Sequence, residues 1–310
     1  SLGYLDEIPN ILIEGESLKI EENDIIALLG EQWLFEGCIS HLREIKKEIN
    51  IKVLGLVYDL VPYFMPELYW DNFSELYIDN MSEVVEISDL IYVISNNTKK
   101  DFKKFFPNFN KHIEVLRLGE DLPISISSIE REEFLLCVGT IQPRKNHVLL
   151  LIVWRRLLLD LGDNCPTLII IGKIGWHSDE LLYLIRTNPK LSQKIKIFEK
   201  ISDIELARLY KSCKFTIYPS LYEGWGLPIS ESLSYGRFCL ASSTSSMKEA
   251  GGEFCDYFSP YDSGELFNLI KKYLNNIDML KEKEKKIDIE YSPIPWKIST
   301  KQFINGIKKI

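Results

Sequence analysis

Residues 214–234 read KFTIYPSLYEGWGLPISESLS and combine the signals of a strand, a loop and a helix. The first part, residues 214–220, is rich in aromatic and β-branched side chains, which is typical of a buried parallel strand. Gly224 and Gly226 permit the sharp turns of a close-packed loop. Pro228 suits the first turn of a helix, where its missing N–H costs no hydrogen bond. The segment predicts a strand whose carboxyl end leads through a short loop into a helix.

Two glutamates lie in this segment, Glu223 in the loop and Glu231 in what we predict to be the first turn of the helix. Ligands of open α/β sheets bind at the carboxyl ends of the strands, and helix N-termini attract anions. Carboxylates placed there are suited to accept hydrogen bonds from the hydroxyls of a sugar or a ribose. The alternative is a strand, loop and helix with two solvated glutamates.

A second segment, residues 134–147, reads FLLCVGTIQPRKNH and again predicts a strand followed by a loop and a helix. Asn146 is the predicted N-cap of that helix. Arg144 and Lys145 are adjacent cations that together can hold a diphosphate. The alternative is a solvated basic turn, and we expect His147 to cap or pack rather than to act as a base.

Together the two segments resemble retaining glycosyltransferases of the GT-B fold, family 4, in particular bacterial mannosyltransferase-like enzymes of polysaccharide and O-antigen biosynthesis. Glu223 to Glu231 resembles the E-x7-E motif of these enzymes, and residues 138–146 resemble their VGTIEPRKN loop. The resemblance covers about residues 24–310. It implies two Rossmann-like domains whose parallel sheets face each other across a cleft.

Strand-like runs alternate with helix-like runs along the chain, which is typical of α/β proteins with parallel sheets. The predicted strands are residues 25–29, 53–57, 90–94, 113–116, 134–138, 167–171, 195–198, 215–218, 238–241 and 257–258. Helices are predicted over residues 148–161, 203–212, 229–235 and 264–274. Residues 121–128 are rich in serine and lack helical periodicity, so we interpret them as a linker.

We therefore predict an amino-terminal, acceptor-side domain over residues 1–125 and a nucleotide-sugar-binding domain over residues 126–295. Residues 296–310 are predicted to form a helix that packs back on the first domain, as the resemblance implies. Enzymes of this subgroup carry a Gly-rich first loop of the TGI-x-R kind, whereas the early glycines here, Gly3, Gly15 and Gly30, do not match it. We expect an incomplete amino-terminal domain, from a shortened chain, a segment of a longer polypeptide or a naturally short form.

The resemblance also implies roles for individual residues. Arg144 and Lys145 would stabilise the negative charge on the leaving diphosphate without a metal ion. Glu223 would contact the transferred sugar or support the loop that does, and Glu231 would bind the ribose hydroxyls. Further donor contacts are expected from Gly139, Thr140, Gly172 and Lys173, and from the main-chain N–H groups of Gly224, Trp225, Gly226 and Leu227. Trp176 is either a stacking platform or a packed surface aromatic.

In the amino-terminal domain, residues 57–62 read VYDLVP and resemble the HDLIP segment at the donor–acceptor face, with Tyr58 where histidine is usual. Asp59 is our candidate for a sugar hydroxyl contact or an acceptor-side base, and the alternative is a simple turn at a strand end. Glu249, in a run that resembles the family's S-x-x-E-x-x-G-G loop, is expected to brace the site from behind.

Lys99, Lys100, Lys103 and Lys104 alternate with three phenylalanines in a predicted helix capped by residues 95–98. Such a pattern can contact the anionic inner face of a membrane, where a polyprenyl-linked acceptor would lie. The alternative is a helix whose phenylalanines face the core and whose lysines are solvated.

The bulk composition excludes several classes of protein. A net charge of −8 over 310 residues argues against a nucleic-acid-binding protein. Six scattered cysteines without a C-x-x-C pair indicate reduced thiols rather than a disulfide frame or a zinc site. Without a signal peptide or a membrane-spanning run, the sequence predicts a cytoplasmic protein.

The resulting hypothesis is a metal-independent retaining glycosyltransferase that needs no cofactor and transfers a sugar from a nucleoside diphosphate donor, GDP-mannose-like, to a glycan or polyprenyl-linked glycan hydroxyl. Two alternatives stay open: a non-catalytic nucleotide-sugar-binding subunit and a non-hydrolysing sugar-nucleotide epimerase. Binding without turnover would favour the first, and the Glu223–Glu231 loop argues against the second.

Overall fold

The structure is a computed structural model that describes residues 19–30, 37–120 and 129–310. Two parallel sheets organise these residues. The first has the strand order β1-β2-β3-β4, formed by Ile25–Leu28, Lys52–Val57, Leu90–Val93 and His112–Val115. The second has the order β10-β9-β8-β5-β6-β7, where β5 to β10 are Phe134–Val138, Thr167–Ile171, Ile195–Phe198, Phe215–Tyr218, Cys239–Ser242 and Cys255–Phe258.

The ten predicted strands are confirmed, each to within two residues at either end. Their side chains explain this agreement. Every residue of β3 and β8 is buried, because helices cover both faces of the sheet. Such strands need a continuous apolar run rather than an alternating one, and such a run is easily recognised.

Helices connect the strands and flank both sheets. In chain order, α1 to α13 are Cys38–Glu48, Val61–Phe64, Phe73–Ile87, Asn96–Phe105, His147–Leu161, Asp179–Thr187, Pro189–Lys194, Asp203–Ser212, Leu227–Ser234, Met247–Gly251, Ser263–Asn275, Ile277–Glu290 and Trp296–Ile307. Single 3₁₀ turns occupy Pro66–Leu68, Pro143–Lys145, Gly162–Asn164 and Gly252–Phe254. The four predicted helices correspond to α5, α8, α9 and α11.

The chain reverses its direction of travel across the second sheet at its centre. From β5 it moves outward through β6 to β7, and then crosses back to β8 and continues through β9 to β10. The connections that follow β5 and β8 therefore start side by side at the carboxyl edge of the sheet and lead in opposite directions across it. A crevice at such a switch point is where ligands bind in open α/β sheets.

Helix α13 lies against the first sheet. The ring of Phe303 stacks on that of Tyr92 at a centroid distance of 5.0 Å, and the Tyr92 hydroxyl donates a hydrogen bond to the Phe303 carbonyl. At the start of the helix, the Trp296 ring occupies the space that a side chain on Gly119 would need. The predicted linker at residues 121–128 and the glycines Gly3 and Gly15 lie outside the described residues.

Two further observations concern the whole described chain. Five of the six cysteines are buried, and Cys38 is partly exposed. Across residues 19–30, 37–120 and 129–310, no helix has both the length and the apolar character that a bilayer crossing requires.

We predict that Phe303→Ala lowers the free energy of unfolding by about 2 kcal/mol, because it removes the stack on Tyr92 from a half-buried position. Urea titration would measure the change. Ile304→Ala on the exposed side of the same helix is the matched control, with an expected effect of about 0.5 kcal/mol. Equal losses for both variants would contradict this account of α13.

Candidate active site

The loops after β5 and β8 meet at the switch point through three charged side chains. Arg144 and Lys145 lie in the 3₁₀ turn that follows β5, and Glu223 lies in the loop that follows β8. Arg144 Nη1 donates to one carboxylate oxygen of Glu223 at 2.5 Å, and Lys145 Nζ donates to the other at 2.7 Å. The predicted cations and the first glutamate of the motif are therefore one buried ionic cluster.

The charges of this cluster depend on one another. Burial alone would raise the pKa of Glu223, but the two cations outweigh it and lower the pKa to about 2. Burial lowers the pKa of Lys145, and Glu223 partly compensates. The Arg144 guanidinium is held charged by Glu223 and Asp59 despite its own burial. Two cations and one carboxylate leave the cluster with one net positive charge, which suits an anionic ligand.

Several donors around the cluster still lack an acceptor. Arg144 Nε is buried without a hydrogen-bond partner among the described residues. Within the same part of the chain, nothing accepts from the main-chain N–H groups of Gly224, Trp225, Gly226 and Leu227. Buried donors are rarely left unpaired in folded proteins. Unpaired donors beside a cationic cluster and the start of α9 are suited to bind phosphate or hydroxyl oxygens.

Glu231 lies in the second turn of α9, not in the first turn as predicted, because the helix begins at Leu227. One of its carboxylate oxygens accepts a hydrogen bond from the Tyr210 hydroxyl at 2.7 Å. Burial raises the pKa of Glu231. The side chain is only partly exposed, and the Lys145 cation partly opposes the shift.

The glycines after β5 and β6 pack against each other. A side chain on Gly172 would lie 2.1 Å from the Gly139 carbonyl oxygen, and both residues have a positive φ angle that favours glycine. The two loops also share a hydrogen bond from the Ile141 N–H to the Lys173 carbonyl. Gly139 and Gly172, from which we expected donor contacts, thus allow two loops to approach each other closely. Thr140 lies partly buried in the first loop, and the Lys173 side chain is exposed.

Trp176 contacts the opposite domain. Its indole N–H donates to the Leu68 carbonyl at 2.7 Å, and its ring stacks on Tyr69 and meets Trp70 edge-on. Of the two alternatives for Trp176, the structure shows the packed aromatic. The residues that it packs against belong to the opposite domain.

Asn146 occupies the N-cap position of α5, but its side chain does not cap the helix, so that part of the prediction is wrong. The backbone of Asn146 is left-handed, and its amide instead donates to the carbonyls of Pro219 and Pro260. His147 is buried, and neither ring nitrogen has a partner among the described residues. Burial, assisted by the Lys145 cation, lowers the pKa of His147 to about 3.

The amino-terminal domain contributes a cavity of about 420 Å³ to the cleft. Its walls include Tyr58, Tyr69, Phe73 and Tyr77, and Asp59 lines it where β2 ends. Burial raises the pKa of Asp59, and the Arg144 cation opposes this shift. One carboxylate oxygen of Asp59 accepts from the Val61 N–H, which fixes its orientation.

Tyr58 brings the two domains into direct contact. Its hydroxyl donates to the Leu29 carbonyl at 3.0 Å, and its own carbonyl oxygen lies 2.0 Å from where a Cβ atom on Gly224 would be. Gly224 therefore serves the approach of the two domains, because any side chain there would collide with the backbone of the other domain.

Glu249, which we expected to brace the site from behind, also acts across the cleft. Its carboxylate accepts hydrogen bonds from the main-chain N–H groups of Asn96 and Asn97 at 2.9 and 2.6 Å, and from the Asn96 side chain. These residues form the first turn of α4, so Glu249 caps a helix of the opposite domain. Ser95 caps the same helix locally, as predicted.

The lysines of α4 do not share one face. Lys99 Nζ donates to the Ile113 carbonyl of β4, so this lysine is packed on the sheet. Lys100, Lys103 and Lys104 are exposed. Phe102 is completely buried in the core, in agreement with the core-facing alternative.

Sequence reasoning missed four residues that hold the Glu223 loop. Ser245 Oγ accepts from the Glu223 N–H, and Ser246 Oγ donates to the carbonyls of Glu223 and Trp225. The Tyr218 hydroxyl accepts from Lys145 Nζ, and Tyr222 contacts α4. The serine-rich run after β9 was the available signal, since adjacent parallel strands place their loops side by side.

No group of three or more His, Cys, Asp or Glu side chains in the described ranges could hold a metal ion.

Several known proteins are similar to this chain in sequence or in fold. Residues 120–288 match the family described as Glycosyl transferases group 1. The serotype-specific mannosyltransferase WbdA of Escherichia coli is 25% identical over 275 residues, which are 84% of this chain and 34% of WbdA. The O-antigen chain mannosyltransferase B of Escherichia coli is 24% identical over 282 residues, 81% of this chain and 74% of that protein. The chain thus spans about a third of the length of the first of these relatives.

Among solved structures, HepE of Anabaena in complex with UDP-glucose has a TM-score of 0.72 at 14% identity, and covers 93% of this chain and 79% of its own. The likeness confirms the predicted GT-B fold, with two Rossmann-like domains facing across a cleft.

We predict that the free energy of unfolding falls by about 1.4 kcal/mol between pH 7.5 and pH 5.5 because of His147. Unfolding returns its pKa from about 3 to the ordinary value near 6.5, so the unfolded chain binds a proton that the folded one does not. The contribution of His147 to the free energy of unfolding is fully present above about pH 6.5 and is lost as the pH falls. Urea titrations at both pH values would show the slope, and His147→Leu should flatten it. An unchanged slope in that variant would exclude His147 as the cause.

Proposed function

The chain belongs to the family of glycosyl transferases group 1, and on that premise we propose that it is a hexosyltransferase that moves a sugar from a nucleoside diphosphate donor to a glycan hydroxyl. The observation that carries the proposal is the buried cluster of Arg144, Lys145 and Glu223 at the switch point, beside a cavity that Asp59 lines. The two relatives are named mannosyltransferases, which supports a GDP-mannose-like donor.

On the donor side, the diphosphate lies against Arg144 and Lys145. Arg144 offers Nε, which has no partner within the described residues, and the N–H groups at the start of α9 reach further oxygens. Glu231 accepts hydrogen bonds from the ribose through the oxygen that Tyr210 does not use. Glu223 keeps both cations oriented and accepts from a hydroxyl of the transferred sugar.

Chemistry proceeds with retention of configuration and without a metal ion. The bond between the anomeric carbon and the β-phosphate oxygen breaks, and its electron pair stays on the phosphate. The acceptor hydroxyl oxygen bonds to the anomeric carbon on the same face and gives its proton to that phosphate oxygen. Arg144 and Lys145 stabilise the negative charge that develops on the leaving group. The two cations thereby take the role that a metal ion has in other enzymes.

On the acceptor side, the cavity receives a sugar of the acceptor glycan. Tyr69, Phe73 and Tyr77 offer apolar faces to a sugar ring, and Asp59 accepts a hydrogen bond from a hydroxyl beside the attacking one, which orients the acceptor. We propose a polyprenyl-linked glycan as acceptor, reached from the cytoplasm. The exposed Lys100, Lys103 and Lys104 would lie near the anionic membrane surface.

We predict that Arg144→Ala weakens the binding of one preferred nucleoside diphosphate about 10- to 100-fold, the worth of one charge-assisted hydrogen bond. Calorimetric titration with GDP, UDP, dTDP, ADP and CMP would identify the base, with GDP expected to bind best. Arg155→Ala, on the exposed face of α5, is the matched control and should bind as the wild type does. If no nucleotide binds the wild type, the donor assignment fails.

We predict that Asp59→Asn slows sugar transfer about 100-fold, because the acceptor loses a group that orients it. Nucleotide affinity should not fall, because Asp59 acts on the donor site only through its charge near Arg144, and losing a negative charge there does not weaken the binding of an anion. Radiolabelled transfer from GDP-mannose to membrane extracts, with and without a chelator, measures the rate and tests metal independence. Asp71→Asn, an exposed carboxylate of the same domain, is the control. Nucleotide binding by the wild type without transfer would instead favour a non-catalytic binding subunit.

A further inference from the structure

Tyr222 lies between the two domains and touches both. Its hydroxyl donates to the Asp101 carboxylate of α4 and accepts from the Asn97 side chain at 2.9 Å. Its ring stacks on Phe64 with a centroid distance of 5.4 Å and an interplanar angle of 25°. All three of these side-chain contacts of Tyr222 are with residues of the amino-terminal domain.

The main chain of the same residue belongs to the charged cluster. Its carbonyl oxygen accepts a hydrogen bond from Arg144 Nη1 at 2.9 Å, and the next residue is Glu223. One position earlier, the Leu221 N–H donates to the Arg144 carbonyl at 2.8 Å. A displacement of Tyr222 would thus move the guanidinium and the carboxylate together.

The hydroxyl of Tyr222 is the part that depends on the position of α4. Burial raises the pKa of Tyr222, so the hydroxyl stays protonated and remains a donor to Asp101. Asn97 binds both Tyr222 and Asp101, which closes a three-membered network across the cleft. This network forms only when the first turn of α4 lies against the loop after β8.

Building on the proposed function, we infer that Tyr222 is a positioning residue, which orients Arg144 and Glu223 for sugar transfer when α4 contacts the loop at residues 221–226. It does not bind the donor itself. Because the cluster must meet the transition state to within a fraction of an ångström, a small displacement slows the reaction while the donor still binds.

The kinetic test uses Tyr222→Phe, which keeps the ring stack and the main-chain carbonyl, and Asp101→Ala on the opposite domain, which removes the acceptor of the Tyr222 hydroxyl. Each should lower kcat about 10-fold, with the donor Kd and KM within twofold of the wild type. The double variant should be no slower than the slower single variant, because both changes remove the same link. Tyr261→Phe, on an exposed side chain, is the matched control.

Amide hydrogen exchange gives a readout that does not depend on activity. The loop at residues 221–226 is protected by the bonds of the Leu221 and Glu223 N–H groups to Arg144 and Ser245. Asp101→Ala, although it lies in the other domain, should speed exchange in that loop, and Tyr222→Phe should speed exchange in the first turn of α4.

The outcomes separate the two proposals. An unchanged kcat in both variants, strictly additive losses, or a loss carried entirely by the donor Kd would overturn the role of Tyr222 in an active enzyme. A wild type that binds no nucleotide and transfers no sugar would overturn the proposed function. In that case, unaltered exchange of residues 221–226 in Asp101→Ala would overturn the link through Tyr222 as well.

Discussion

The carboxylate of Glu223 is buried, and it stays ionised because Arg144 and Lys145 lie within 2.7 Å of its two oxygens. Removing an ion from water costs several kcal/mol, and only well-oriented partners repay that cost. Each of the three groups therefore needs the other two. Glu223 lies 79 residues from Arg144 and 78 residues from Lys145 in the chain. The cluster therefore also links the two halves of the second sheet at the switch point. The site is consequently assembled before any ligand arrives.

The surrounding loops are arranged so that this cluster faces the other domain. Parallel strands place all their carboxyl ends on one edge, and here β5, β6, β8 and β9 each contribute a loop there. The first sheet presents the same edge across the cleft, with Asp59 and Tyr58 after β2. Gly224 permits the contact because the Tyr58 carbonyl leaves no room for a side chain. A donor bound at the cluster and an acceptor bound near Asp59 would therefore face each other.

Local patterns predicted the strands, because buried parallel strands are continuous apolar runs, and the motif order indicated the charged loops. Contacts between distant segments could not be predicted in the same way. Nothing near Glu249 indicates that it caps α4, which lies 153 residues away. Nor does the sequence reveal that Glu223 binds both Arg144 and Lys145, since the same residue types could as well face solvent. Asn146 shows the limit of local rules: it has an N-cap residue type, but two distant carbonyls bind its amide.

The contacts between the domains differ in kind on the two sides of the molecule, and the difference fits a cleft that has to open for its substrates. Around α13 they are apolar and aromatic, as in the stack of Phe303 on Tyr92, and resemble a permanent core. At the mouth of the cleft, polar contacts such as the capping of α4 by Glu249 lie beside the aromatic contacts of Trp176 and Tyr222. A charge at a helix N-terminus contributes about 0.3–1 kcal/mol when exposed and up to about 2 kcal/mol when partly buried. Such a contact is strong enough to help define the closed geometry, yet weak enough to break when the cleft opens.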